Sequence, residues 1–168
     1  MSGLPYLAEQ NKKEEIVRLL QNGADINEQD IFGETALYWA CWQNHPEILQ
    51  ILLKNDNINV NLQNNYGKSP FLSACSNYNY ECALLMIQDP RVDINLANND
   101  GWSPLMWACY AGGTKTVQLL LSYGRHIDIY KKSTKDSYYS GIKSGSTALD
   151  LSKKYNRTRL KRKSDGCC

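Results

Sequence analysis

The sequence is poor in the residues that carry most side-chain chemistry. Of 168 residues only two are histidine, His45 and His126. There is no C-x-x-C pair, no G-x-x-x-x-G-K-[ST] loop and no G-x-S-x-G elbow. The usual arrangements for metal, phosphate and nucleophilic chemistry are therefore missing. Carboxylates are scattered at turn positions, where Asp and Asn close turns, rather than paired for acid–base work. These absences predict a chain that is not an enzyme, with no cofactor, no metal and no small-molecule substrate. Long apolar runs are lacking too: none approaches the roughly 20 residues that span a bilayer. The opening "MSGLPYLAEQNKKEE" does not have the basic-then-apolar layout of a signal peptide. The expected location is the cytoplasm, where the six cysteines are free thiols rather than a disulfide framework.

Charge is present but divided. Residues 1–152 carry 12 Lys and Arg against 16 Asp and Glu, whereas residues 153–168 carry 7 against 1. A mildly acidic body thus ends in a basic tail. Nucleic acid is not an expected partner of such a body, and membrane contact is open only through the tail.

The positive signal is a 34-residue period. Gly33, Gly67 and Gly101 fall in step, as do Thr35, Ser69 and Ser103, then Leu37, Phe71 and Leu105, then Ala40, Ala74 and Ala108. "NINVN" (Asn57 to Asn61) matches "RVDIN" (Arg91 to Asn95). Each unit reads as a turn, a helix, a second helix and a short extended finger. The glycine supplies positive φ at the turn. Thr or Ser is a helix N-cap, and Pro70 and Pro104 occupy the first helical position that tolerates proline. Leu37, Ala40, Cys41 and Asn44 recur at i, i+3, i+4, i+7, one helix face. Asn44, Tyr78 and Gly112 end the first helix, and "PEILQILLK" (Pro46 to Lys54) forms the second.

"DIFGETALYWACWQNH" (Asp30 to His45), "NNYGKSPFLSACSNYN" (Asn64 to Asn79), "NNDGWSPLMWACYAGG" (Asn98 to Gly113) and "LLQNGADIN" (Leu19 to Asn27) resemble the ankyrin repeat family. The resemblance covers roughly residues 3–155. It implies an all-α solenoid of stacked helix-turn-helix units with finger turns. Residues 1–28 are an N-terminal capping repeat, and 29–62, 63–96 and 97–130 are full repeats. An extended finger loop follows at 131–143, a C-terminal capping repeat at 144–160 and a basic Cys-Cys tail at 161–168. Caps are needed because the end faces of a stack would otherwise expose apolar surface. The histidine of the family's T-P-L-H is absent, with Tyr38, Leu72, Met106 and Asp150 in its place, so its hydrogen bonding must be replaced or lost.

Cys41, Cys75 and Cys109 recur with the period. Neighbouring helices lie about 8–10 Å apart, beyond the roughly 7 Å a disulfide allows and the spacing a shared zinc requires. These thiols are expected to pack as slightly enlarged alanines. His45 is expected to be a turn residue. Asn27, Asn61 and Asn95 read as hydrogen-bonding groups of the fingers; the resemblance adds hydroxylation as an open alternative.

The resemblance implies a protein-binding adaptor, contacted on its concave side through fingers and first helices. Mapped by position, the partner-binding residues are Phe32, Glu34, Trp42, Tyr66, Lys68, Asp100, Trp102 and Tyr110. The aromatics would anchor a protein partner, and the charged residues around them would give specificity. The alternative is that these rings pack on neighbouring repeats. Trp39 and Trp107 are expected to be at least half-buried. The expected oligomeric state is a monomer. The tail "RTRLKRKSDGCC" has three readings: a plain flexible end, a lipid anchor at Cys167 and Cys168, or a nuclear address in "KRK". The last two make the chain a tether.

Overall fold

A computed structural model describes residues 3–136 and 141–154. Eight helices pair in chain order: α1 (Leu4–Glu9) with α2 (Lys13–Gln21), α3 (Ala36–Trp42) with α4 (Pro46–Leu53), α5 (Pro70–Ser76) with α6 (Tyr80–Gln88), and α7 (Pro104–Ala111) with α8 (Thr114–Ser122). Residues 148–154 are also helical. The first helices stack as a row, α1 on α3 on α5 on α7, and the second helices stack behind them, α2 on α4 on α6 on α8. The architecture is the expected all-α solenoid. No helix among the described residues is long and apolar enough to cross a membrane.

The local signals act as their chemistry dictates. Thr35, Ser69 and Ser103 each accept the backbone N–H three residues on, at 3.0, 3.2 and 3.3 Å, answering a donor that the helix start would otherwise orphan. Asn44 (φ 59°), Tyr78 (φ 63°) and Gly112 (φ 82°) turn the chain from first to second helix through the left-handed region. His45 lies in that turn, its N–H donating to the Ala40 carbonyl at 2.9 Å. The missing family histidine is replaced in two units. Met106 Sδ accepts the Ser103 N–H at 3.4 Å, and Asp150 Oδ2 accepts both the N–H and the hydroxyl of Thr147, at 3.0 and 2.8 Å.

The core lies between the two helix rows. Leu37, Ile48, Leu49, Leu52, Phe71, Met86, Ile87 and Leu120 are essentially solvent-free. Cys41 and Cys75 are fully buried among them, as expected, and so is Cys82. Cys109 departs from the rule: it is only half-buried, in the last full repeat, where the stack approaches its end. Burial pushes the Cys41 and Cys75 thiols far up and the Cys82 thiol up to about 12. A thiol whose folded-state pKa is raised leaves stability intact at low pH and lowers it at high pH: below its unfolded pKa near 9 both states hold the proton, and above it the unfolded state ionises and is favoured. Stability should therefore fall above about pH 9, with a slope of up to about 1.4 kcal/mol per pH unit for each buried thiol. Urea unfolding of Cys75→Ala at pH 7 and 10 should show a shallower fall than the parent; an equal fall would refute this origin.

Successive fingers are tied to one another at two levels. At the tips, the Asn65 N–H donates to the Phe32 carbonyl (3.0 Å), Asn99 to Tyr66 (3.2 Å) and Thr134 to Asp100 (2.9 Å). At the stems, asparagines one period apart each grip the next unit twice. Asn61 Nδ2 donates to the Arg91 carbonyl at 2.8 Å, and its Oδ1 accepts the Asp93 N–H at 2.8 Å. Asn27 and Asn95 do the same to the units after them. Asn61→Ala should cost about 1–2 kcal/mol, the worth of two net hydrogen bonds. Chemical unfolding tests this, and an unchanged midpoint would show that water replaces them freely.

The extended finger loop has a definite stem. In the preceding finger, residues four apart close the turn, Asn98 N–H donating to Trp102 O at 3.0 Å. Here Ser133 and Ser146, thirteen apart, make that contact at 2.9 Å. The stack continues beyond this insertion, of which residues 137–140 lie outside the described residues.

Candidate functional site

First helices and fingers together make one inner face, and three of its positions alternate along the stack. The finger position reads Glu34, Lys68, Trp102; two first-helix positions read Trp39, Ser73, Trp107 and Trp42, Ser76, Tyr110. Aromatic rings thus gather on α3 and α7, with small hydroxyl residues on α5 between them.

On α3, Trp42 stacks on Tyr38, ring centroids 6.1 Å apart and planes within 19°, and Tyr38 meets Trp39 edge-on at 6.0 Å. Tyr38 is buried and Trp42 is 36% exposed. Asn79 holds the end of this helix in place from the next unit: its Nδ2 donates to the Cys41 and Trp42 carbonyls at 2.8 and 2.7 Å. Trp39 is half-buried, its indole N–H donating to Asp30 Oδ2 at 3.2 Å. At α7, the finger residue Trp102 packs mutually with Trp107 and Tyr110 of the helix, with centroids 4.8–5.9 Å apart.

Between the clusters, Lys68 Nζ lies 5.6 Å from the Trp42 ring centroid and 5.1 Å from that of Trp107. Both distances are within cation–π range, worth about 0.5–2 kcal/mol depending on desolvation. Burial of the lysine lowers its pKa; the Glu34 carboxylate, too far for an ion pair, opposes that shift. Glu34 is itself raised by burial, an effect moderated by Asn64 Nδ2, which donates to it at 3.1 Å. Burial and the Glu34 carboxylate keep the Tyr38 phenol protonated well above its ordinary range.

The structure thus brings Glu34, Trp42, Lys68 and Tyr110 onto one surface and places Phe32 and Tyr66 at the finger tips above it. Phe32 is 50% and Tyr66 61% exposed, beside Ile31 at 80%. Trp102 is a correction. Expected as an exposed anchor, it is buried to 3%, because Trp107 and Tyr110 pack against it. Tyr110 is half-buried, its edge turned into the same cluster. Asp100 is exposed but engaged, its carboxylate 3.2 Å from Lys135 of the extended loop. Tyr38 is a site residue that sequence reasoning does not find: it stands where the family's buried histidine belongs, so its position alone assigns it to the turn. Cys167 and Cys168 lie outside the described residues. Among the described residues no three His, Cys, Asp or Glu side chains are grouped so as to hold a metal ion.

Paired helices, hydrogen-bonded fingers and a continuous inner face define a helical repeat solenoid. The sequence profile described as "Ankyrin repeats (3 copies)" matches residues 4–98, 58–133 and 83–159. The chain belongs to the ankyrin repeat family. It is similar to human Ankyrin repeat domain-containing protein 40, 40% identical over 42 residues that make up 24% of this chain and 11% of that one. It is also similar to the Arabidopsis thaliana E3 ubiquitin-protein ligase XBAT33, 42% identical over 52 residues, 31% of this chain and 10% of that one. Ankyrin repeat domain-containing protein SAT10 of Stachybotrys chartarum is 43% identical over 51 residues, 30% and 3% of the two chains. Each match spans about a tenth or less of the relative's length.

Proposed function

We propose that this chain is a non-enzymatic adaptor that holds a protein segment across its inner face, with Trp42 as the central anchor and Phe32 and Tyr66 as finger-tip contacts. Ankyrin repeats are in general protein–protein interaction modules, and the repeat architecture is consistent with that role here. The observation that carries the finer reading is Trp42. It is a large ring 36% exposed on a helix whose end is pinned by Asn79, so its pose is fixed before anything binds. A rigid aromatic with a polar rim is the residue type that dominates binding energy at interfaces. Phe32 and Tyr66 are linked by finger-to-finger hydrogen bonds and extend the same surface.

The experiment is capture with the purified chain. Trp42→Ala should lose at least tenfold in affinity for a captured partner while its helical circular dichroism and melting stay near the parent's. Retained affinity in a folded Trp42→Ala protein would move the site elsewhere. The working compartment we propose is the reducing cytoplasm, which suits the four free thiols of the described residues.

A further inference from the structure

The middle repeat is where the inner face changes chemistry. Two aromatic-rich units flank one that presents Ser73 and Ser76, and Lys68 lies across that step over the rings of Trp42 and Trp107. Two polar groups gathered here go unanswered. The Lys68 ammonium has aromatic faces near it but, among the described residues, no carboxylate in ion-pair range. Trp107 Nε1 is buried and has no acceptor.

The indole's isolation has a specific cause. Two repeats earlier, Trp39 donates to the Asp30 carboxylate. The residue matching Asp30 beside Trp107 is Asn98, whose Oδ1 already accepts the Asp100 and Trp102 N–H groups at 3.0 and 2.9 Å. The remaining polar atom of that amide is a donor, so it cannot receive an indole proton. One substitution of amide for carboxylate leaves a buried donor without a partner, an arrangement that folded proteins generally avoid.

We infer that the step at Lys68 is a seat for the carboxylate of an acidic side chain of a protein partner, with apolar residues next to it lying on Trp42 and the finger tips. This rests on the reading of the inner face as the binding surface. A carboxylate accepts only, with up to about four lone-pair directions, and so matches an ammonium and an indole N–H together. A basic side chain would meet Lys68 as a like charge and leave both donors unanswered. Glu34 does not reverse this preference, because its carboxylate is half-buried and already engaged by Asn64. In the free protein Trp107 Nε1 has no solvent contact. The incoming carboxylate therefore pairs first with Lys68 and reaches the indole N–H as the lysine stem moves aside.

The test uses the full chain and three pools of acetylated, amidated nonapeptides, randomised except for a central Glu, Gln or Lys, with binding read by fluorescence polarisation. The Glu pool should bind at least tenfold more tightly than the Gln or Lys pools. Lys68→Gln should erase that preference, bringing the Glu pool to the level of the Gln pool. The strongest Glu peptide should also shift the indole N–H resonance of Trp107, assigned with Trp107→Phe. Equal binding by all pools, or a preference for the Lys pool, overturns the inference. If that pool-independent binding still disappears in Trp42→Ala, the inner-face reading survives and only the carboxylate seat is lost. If binding of every pool is indifferent to Trp42→Ala, the inner-face reading itself has failed. Self-association of the free chain that is abolished by Lys68→Gln would mean that a second copy occupies the seat, and that too overturns the inference.

Discussion

Gly67→Ala is expected to destabilise the protein by about 3 kcal/mol, a fall in Tm on the order of 10 °C. Gly67 holds φ +74°, and a Cβ built there would stand 2.6 Å from the Asn99 backbone nitrogen. A left-handed alanine alone costs about 1–2 kcal/mol. The remainder arises because the next finger must retreat, and the Asn99 to Tyr66 hydrogen bond at the finger tips is broken with it. Gly23 separates the two contributions. It has φ +84° and nothing within 4 Å of the place a methyl group would occupy, so Gly23→Ala should cost only the conformational part, about 1 kcal/mol. Similar losses at the two sites in urea titrations would show that finger-to-finger contact is not what makes Gly67 costly.

The second large effect separates two tryptophans that the sequence presents alike. Trp102→Ala should cost about 3–5 kcal/mol, as truncation of a buried indole does, and should loosen the α7–α8 unit first. The ring is 3% exposed and lies 4.8 Å from Trp107 and 5.4 Å from Tyr110. Trp42→Ala removes a half-open stack on Tyr38 and should cost about 1 kcal/mol. Its effect should appear in binding. Equal melting temperatures for the two variants would mean that the rings share one role after all.

The contrast between these rings shows what a repeat sequence makes legible. Helix boundaries follow from local chemistry that recurs every 34 residues: a hydroxyl cap at Thr35, Ser69 and Ser103, a positive-φ glycine, and a proline at the first helical position of α5 and α7. Cys41 and Cys75 are legible as core by the same reasoning, since their helical register admits only an inward position. Trp102 is not. Register places it at the finger base, on the same row as Glu34 and Lys68, but whether a side chain there faces solvent depends on what its own helix raises beside it. Trp102 is enclosed by Trp107 and Tyr110, whereas Glu34 and Lys68 keep part of their surface open. Cys109 departs for a related reason, since its helix belongs to the last full repeat and register alone does not report how far the stack covers it. The grip of Lys68 on Trp42 and Trp107 joins residues of three different repeats. No local window of sequence contains it. The one signal that could have pointed there is the column of residues Trp39, Ser73, Trp107 read across repeats, where a small residue between two large ones marks a step in the surface.

Hydrogen exchange of the full chain, with and without a peptide selected from the nonapeptide pools, tests the central claim most directly. Recognition on the inner face predicts slowed exchange in the fingers around Phe32 and Tyr66 and at the ends of α3 and α5, with α4, α6 and α8 unchanged. Protection confined to the second helices, with the fingers and Trp42 exchanging as in the free protein, would contradict it.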